Sequence, residues 1–118
     1  MKGTNKQLVS FDNHPYWSET TKISWLQRAV TIHSLLYYRY NESIIQDSDY
    51  DLLCVQLLEM QSKLSEKEVR EKTTYGYAFY DFDGSTGFDV VSRLTALDFR
   101  IVEIIANVCL RKYKEERA

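Results

Sequence analysis

From Thr20 onward the apolar positions of this chain recur every three or four residues. Ile23, Leu26, Val30, His33, Tyr37 and Tyr40 form one stripe, widened by Trp25, Ile32 and Leu36. That spacing predicts a helix of about five turns ending near Tyr40 or Asn41. A polar link, NESIIQ, separates it from a second stripe made by Leu53, Cys54, Leu57, Leu58, Met60 and Leu64. Asp47 or Ser48 is placed to cap this second helix, and Asp51, three residues after Ser48, completes a capping box. SEKEVREK then reads as a solvated continuation or a loop.

At Thr73 the pattern changes. TTYGYAFYDFDG is rich in threonine and aromatic residues that alternate with a period of two, which predicts a short strand over Tyr75 to Phe82 closed by an Asp-Gly turn. Its pairing partner would be QLVSF near the start or the few residues after the turn. Thr86 with Asp89, and Thr95 with Asp98, repeat the capping-box spacing. The first pair opens a short helix through Leu94, and the second a long one to about Glu115. Leu97, Ile101, Ile104, Ile105 and Val108 lie on one side of that last helix, and Phe99, Val102, Ala106, Cys109 and Tyr113 on another. A helix so widely apolar is expected to be central or to be shared in a homodimer.

The expected fold is therefore mainly α with a small β element, of the α+β class, in a single domain spanning 1–118. It divides into an N-terminal arm at 1–18, a helix pair at 20–66 and a strand-turn with C-terminal helices at 73–118. The arm holds the only proline, and Phe11, Tyr16 and Trp17 are the residues that could dock it.

Composition narrows the classes. A chain of 118 residues supports one modest core. Its formal charge of −2 and isoelectric point near 5.7 supply no basic field for direct nucleic-acid binding. Cys54 and Cys109 lie far apart within apolar helical patterns, the expected placement of reduced core thiols in a cytoplasmic protein. The N-terminal stretch has no continuous apolar run, so neither a signal peptide nor a membrane span is expected. His33 falls on the apolar face of the first helix, where packing is the expected role, and no Cys or His spacing matches a metal site.

The candidate chemistry lies in LYYRYNESIIQDSDYD, Leu36 to Asp51. This segment resembles the small N-terminal Ia domain of NAD+-dependent DNA ligases, in which a helix ending in Tyr-His is followed by a short link and an Ile-Ser-Asp-x-Glu-Tyr-Asp signature. Without a gap, Tyr37 falls on the family's tyrosine, Asp47 on its first aspartate, Asp49 on its glutamate, and Tyr50 and Asp51 on its Tyr-Asp. The resemblance covers roughly residues 23–64. It departs at Tyr38, where the family has histidine, and at Asn41, Ser43 and Gln46, where it has aspartate, proline and serine.

In those ligases this surface recognises the nicotinamide mononucleotide (NMN) half of NAD+. The resemblance thus implies a non-catalytic binder of NMN or NAD with no required cofactor. Tyr37, Tyr38 and Tyr50 would contact ring and ribose, while Asp47 and Asp51 would hold amide or hydroxyl groups. The acids disfavour phosphate, so the ligand would enter by the opposite end. A different class of function is a protein-interaction module, such as a phage or mobile-element inhibitor of a host protein, consistent with the acidic balance, the aromatic surplus and the wide apolar last helix.

Catalysis is not expected. Ligase chemistry needs a nucleophilic lysine in Lys-x-Asp-Gly, and the comparable text here is Asp81-Phe82-Asp83-Gly84, with an aspartate in place of the lysine. AFYDFDGST also looks like the first motif of the haloacid dehalogenase phosphatases. Those enzymes need a later lysine and acidic pair in a parallel α/β domain, whereas only 34 residues follow Gly84. An Asp-Gly turn is the expected role of this stretch.

Overall fold

The computed structural model describes residues 9–84 and 88–117, and every regular element among them is helical. Helices α1 (Glu19–Tyr40) and α2 (Asp47–Gln61) are followed by α3 (Glu66–Lys72), α4 (Gly76–Phe79), α5 (Phe88–Arg93) and α6 (Ala96–Arg117). No described helix is long and apolar enough to cross a membrane.

The first helix is the axis of the molecule and packs against α2, α5 and α6. Ser18 caps it, its hydroxyl accepting from the Thr21 N–H at 3.2 Å, and Asn41 ends it in the left-handed conformation (φ 53°) that asparagine tolerates. Ile23, Leu26, Val30 and Leu36 are fully enclosed and join Leu53 and Leu57 of α2 and Val102 and Ala106 of α6 in one core.

Three polar side chains cross that core. The Gln27 carboxamide donates to Gln61 Oε1 at 3.1 Å and to Thr73 Oγ1 at 2.9 Å, and accepts from the Tyr75 N–H at 3.0 Å. Gln61 in turn donates to the Phe79 carbonyl at 2.7 Å, and Thr73 to the Val69 carbonyl at 2.6 Å. No buried side-chain nitrogen or oxygen among the described residues is left without a partner, so the desolvation cost of these groups is met.

The strand expected over Tyr75 to Phe82 is instead a helical turn, α4, continued by tight turns. The physical reason lies in the same letters read with another period. Tyr75, Ala78, Phe79 and Phe82 are all buried, and their i, i+3, i+4, i+7 spacing is that of a helix face. Among the described residues there is no strand for this segment to pair with, and Val9, from the proposed partner QLVSF, is engaged elsewhere. Its N–H donates to Gln56 Oε1 at 3.1 Å, and its carbonyl accepts from Gln56 Nε2 at 2.8 Å.

Other boundaries shift as well. SEKEVREK holds a helix of its own, α3, with a complete capping box between Ser65 and Glu68 and Val69 buried. The box expected at Ser48 and Asp51 is absent: Gln46 is the N-cap, makes no side-chain capping bond, and leaves Asp47 as the first helical residue. Thr95 does cap α6, accepting from the Asp98 N–H at 3.1 Å, with Tyr77 inserted into the box. Its hydroxyl accepts from the Thr95 N–H at 3.0 Å and donates to Asp98 at 2.5 Å. Burial first and Asp98 second raise the Tyr77 pKa above its ordinary value. The box expected at Thr86 lies outside the described residues.

The arm docks through Phe11, which packs edge-on against Trp25, while Trp17 stacks on His14 at 4.1 Å within the arm itself and Tyr16 is left 98% exposed. Cys54 is a core thiol, while Cys109, expected in the core, is only half-buried because α6 turns that face outward.

Gly76 sits where the start of α4 touches the end of α3. A Cβ there would lie 1.8 Å from the Val69 carbonyl oxygen and 2.7 Å from Thr73 Oγ1, so any side chain must force the two backbones apart. Gly76→Ala is expected to cost about 3 kcal/mol, lowering the thermal midpoint by roughly 10 °C in melts followed by circular dichroism.

Candidate functional site

The last turns of α1 and the first turns of α2 face each other across the link 41–46. Asn41 reverses the chain, and the Glu42 N–H bonds back to the Leu36 carbonyl at 3.0 Å. Within the link, the Ser43 hydroxyl donates to the Ile45 carbonyl at 2.5 Å, folding Ile44 and Ile45 inward. A short bond of 2.6 Å between Ser34 Oγ and the Tyr50 hydroxyl ties the two helices together. These restraints hold open a pocket of about 250 Å³, lined by His33, Tyr37, Tyr38, Ser43, Ile44, Ile45, Asp47, Tyr50 and Asp51.

All five residues expected from the sequence therefore line one cavity: Tyr37, Tyr38, Asp47, Tyr50 and Asp51. Tyr37 and Tyr38 are about half exposed (50% and 47%) and meet edge to face, with ring centroids 4.8 Å apart at 83°. Asp47 and Asp51 are one helical turn apart and share a face. Asp49, also matched in the signature, falls two residues from Asp47 on a helix, which turns it away; it does not line the pocket. The cavity thus carries two carboxylates, not three.

His33, Ser43, Ile44 and Ile45 line the pocket without having been expected there. The spacing of His33 from Tyr37, one helical turn, was the one signal available for it. The two isoleucines were hidden in a link whose conformation depends on how the helices pack.

The electrostatics follow from burial and the absence of cations among the lining residues. Burial lowers the His33 pKa below its ordinary 6.5, so the imidazole is neutral at pH 7. Behind the wall, burial pushes the Cys54 thiol up to about 11, opposed by a hydrogen bond with Tyr50 and reinforced by the Asp51 charge. A protonated, buried thiol is no nucleophile. Aromatic walls, two carboxylates and hydroxyl groups suit a flat ligand that is cationic or rich in donors, and disfavour an anion.

The Asp81 to Gly84 stretch serves the fold. Asp81 pairs with Arg93, which also donates to the Ala78 carbonyl at 3.2 Å, and Gly84 takes the positive φ of 84° that the turn requires. Among the described residues no group of three His, Cys, Asp or Glu could hold a metal ion.

In comparisons with family models, curated proteins and solved structures, nothing matches this chain. The site must therefore be read from its own chemistry.

His33 gives that chemistry a pH signature. As pH falls through 6.5 the unfolded chain takes up a proton that the folded chain resists, so the stability contributed by neutral His33 is present above 6.5 and lost below it. Urea midpoints measured between pH 7.5 and 5 are expected to decline on the acid side, and His33→Gln is expected to flatten that part of the profile.

Proposed function

We propose that this chain is a non-catalytic binder of a nicotinamide nucleotide, NMN or NAD+, and that its α1–α2 hairpin is a relative of the ligase Ia domain. The observation that supports this most is convergence: four residues that match the ligase signature in one gapless register, Tyr37, Asp47, Tyr50 and Asp51, line a single cavity of about 250 Å³, and Tyr38, at the position of the family's histidine, lines it with them. A helix start built only for stability would also favour acids, but it would not bring Tyr37 and Tyr38 from the preceding helix to the same cavity.

In this reading the positively charged pyridinium ring lies against the tyrosine faces, an arrangement worth about 0.5–2 kcal/mol. The carboxamide N–H groups donate to Asp47 or Asp51, and ribose hydroxyls meet Ser43 or a tyrosine hydroxyl. The phosphate points out, away from the carboxylates. Tyr38 in place of the family's histidine keeps a π face but removes a charge-assisted contact to phosphate.

Titration calorimetry with NMN tests the reading. Asp47→Ala and Tyr37→Ala are expected to weaken binding at least about ten-fold each, the equivalent of ~1.4 kcal/mol, with unchanged thermal midpoints because both side chains are exposed. No heat at millimolar NMN, or affinity indifferent to Asp47→Ala, would sink it.

A second reading, a protein-interaction module, is favoured by the outward face of α6. Leu97 is 70% exposed, Ile104 50% and Val108 49%, and their spacing places them on one stripe with Ile101. If this stripe seats a second copy of the chain, sedimentation velocity is expected to show a dimer that Ile104→Glu dissociates; a monomer at all concentrations removes the homodimer.

A further inference from the structure

Immediately beside the pocket lies a larger groove of about 760 Å³ between α1, α5 and α6. Its apolar surface comes from Leu35, Val91, Leu94 and Phe99, and its rim carries Arg39 and Arg100. Tyr38 lines both cavities and is their shared wall. Charge therefore changes sign across one aromatic ring, with two carboxylates on one side and two guanidinium groups on the other.

The arginines are held in different ways. Arg39 lies over the Phe99 ring, its guanidinium carbon 5.5 Å from the centroid, and makes no ion pair with a described residue. Stacking leaves the edge of a guanidinium, where its N–H groups are, open to an anion. Arg100 is 71% exposed and meets Glu103 at 3.4 Å. That carboxylate also accepts from the Tyr40 hydroxyl at 3.4 Å, so it keeps a partner if Arg100 turns away. A long ion pair whose guanidinium lies at the surface contributes little, and a doubly charged pyrophosphate can compete for the guanidinium.

We infer that this groove is a second subsite, which takes the pyrophosphate and the second nucleoside of a dinucleotide whose nicotinamide ring occupies the first pocket. The ligand is then NAD+ in preference to NMN. This rests on the nicotinamide reading of the first pocket and adds three things to it: a ligand length, a direction and a source of phosphate contacts. The small pocket has room for one ring and its sugar and no cation for a phosphate. The groove supplies both cations and, in Leu35, Val91, Leu94 and Phe99, an apolar bed for a base.

The test compares NMN, NAD+ and ADP-ribose by calorimetry on the wild-type chain, on the Arg39→Gln, Arg100→Gln variant and on Asp47→Ala. NAD+ is expected to bind at least ten-fold more tightly than NMN. The double arginine variant should lose that advantage while its NMN affinity stays within two-fold, and ADP-ribose should bind weakly and depend on the arginines but not on Asp47. NAD+ binding no tighter than NMN overturns the inference and leaves the nicotinamide reading standing. Equal loss of NMN and NAD+ in the arginine variant also overturns it, because the arginines would then hold the mononucleotide's own phosphate. If NMN fails to bind, the nicotinamide reading falls, and arginine-dependent ADP-ribose binding alone decides whether the groove is a nucleotide site. Both arginines are exposed, so the variant is expected to melt with the wild type.

Discussion

The carboxamide of Gln27 is the constraint on which the rest of the structure depends. It is fully enclosed in the middle of α1, and an unmet amide at that depth would cost more than several ordinary contacts return. Its bonds to Gln61, Thr73 and the Tyr75 backbone fix α1 against the end of α2 and against the segment between α3 and α4. Hydrophobic packing alone would allow these helices to slide by small amounts; a directional network with each partner satisfied does not.

That fixation sets the geometry of the candidate site at the other end of the same two helices. Once Gln27 and Gln61 are paired, the last turns of α1 must face the first turns of α2, and the Ser34–Tyr50 bond of 2.6 Å closes the gap at pocket level. The pocket is then a by-product of two helices of fixed length joined by a link too short to fill the space between them. The helices that carry its walls are fixed by the core, while Tyr37, Tyr38, Asp47 and Asp51 present their side chains at the surface, open to a ligand.

The site also separates charge in a way that the net charge of −2 conceals. Asp47 and Asp51 face one cavity, Arg39 and Arg100 rim the next, and Tyr38 stands between. Such a division suits a ligand that carries a cationic ring at one end and phosphates further along, and a uniformly acidic or basic surface would reject one half of it.

Much of this was legible in the chain. The two stripes of α1 and α2 specified their helices, Asn41 marked a helix end, and the gapless match over Tyr37, Asp47, Tyr50 and Asp51 gathered residues that do line one pocket. These features are local, since side chains three or four residues apart on a helix are neighbours whatever the rest of the fold does. The segment from Tyr75 to Phe82 reads as a strand because its eight residues satisfy a period of two and a period of 3.6 about equally well. Only the approach of Gly76 to Val69 and the burial of Tyr75, Ala78, Phe79 and Phe82 in the common core select the helix. The Gln27 network, the entry of His33, Ile44 and Ile45 into the pocket and the arginine-rimmed groove were decided by tertiary structure alone. Each depends on which groups from distant parts of the chain are brought within a few ångströms, and on whether a buried polar atom finds its partner there, which no local spacing encodes.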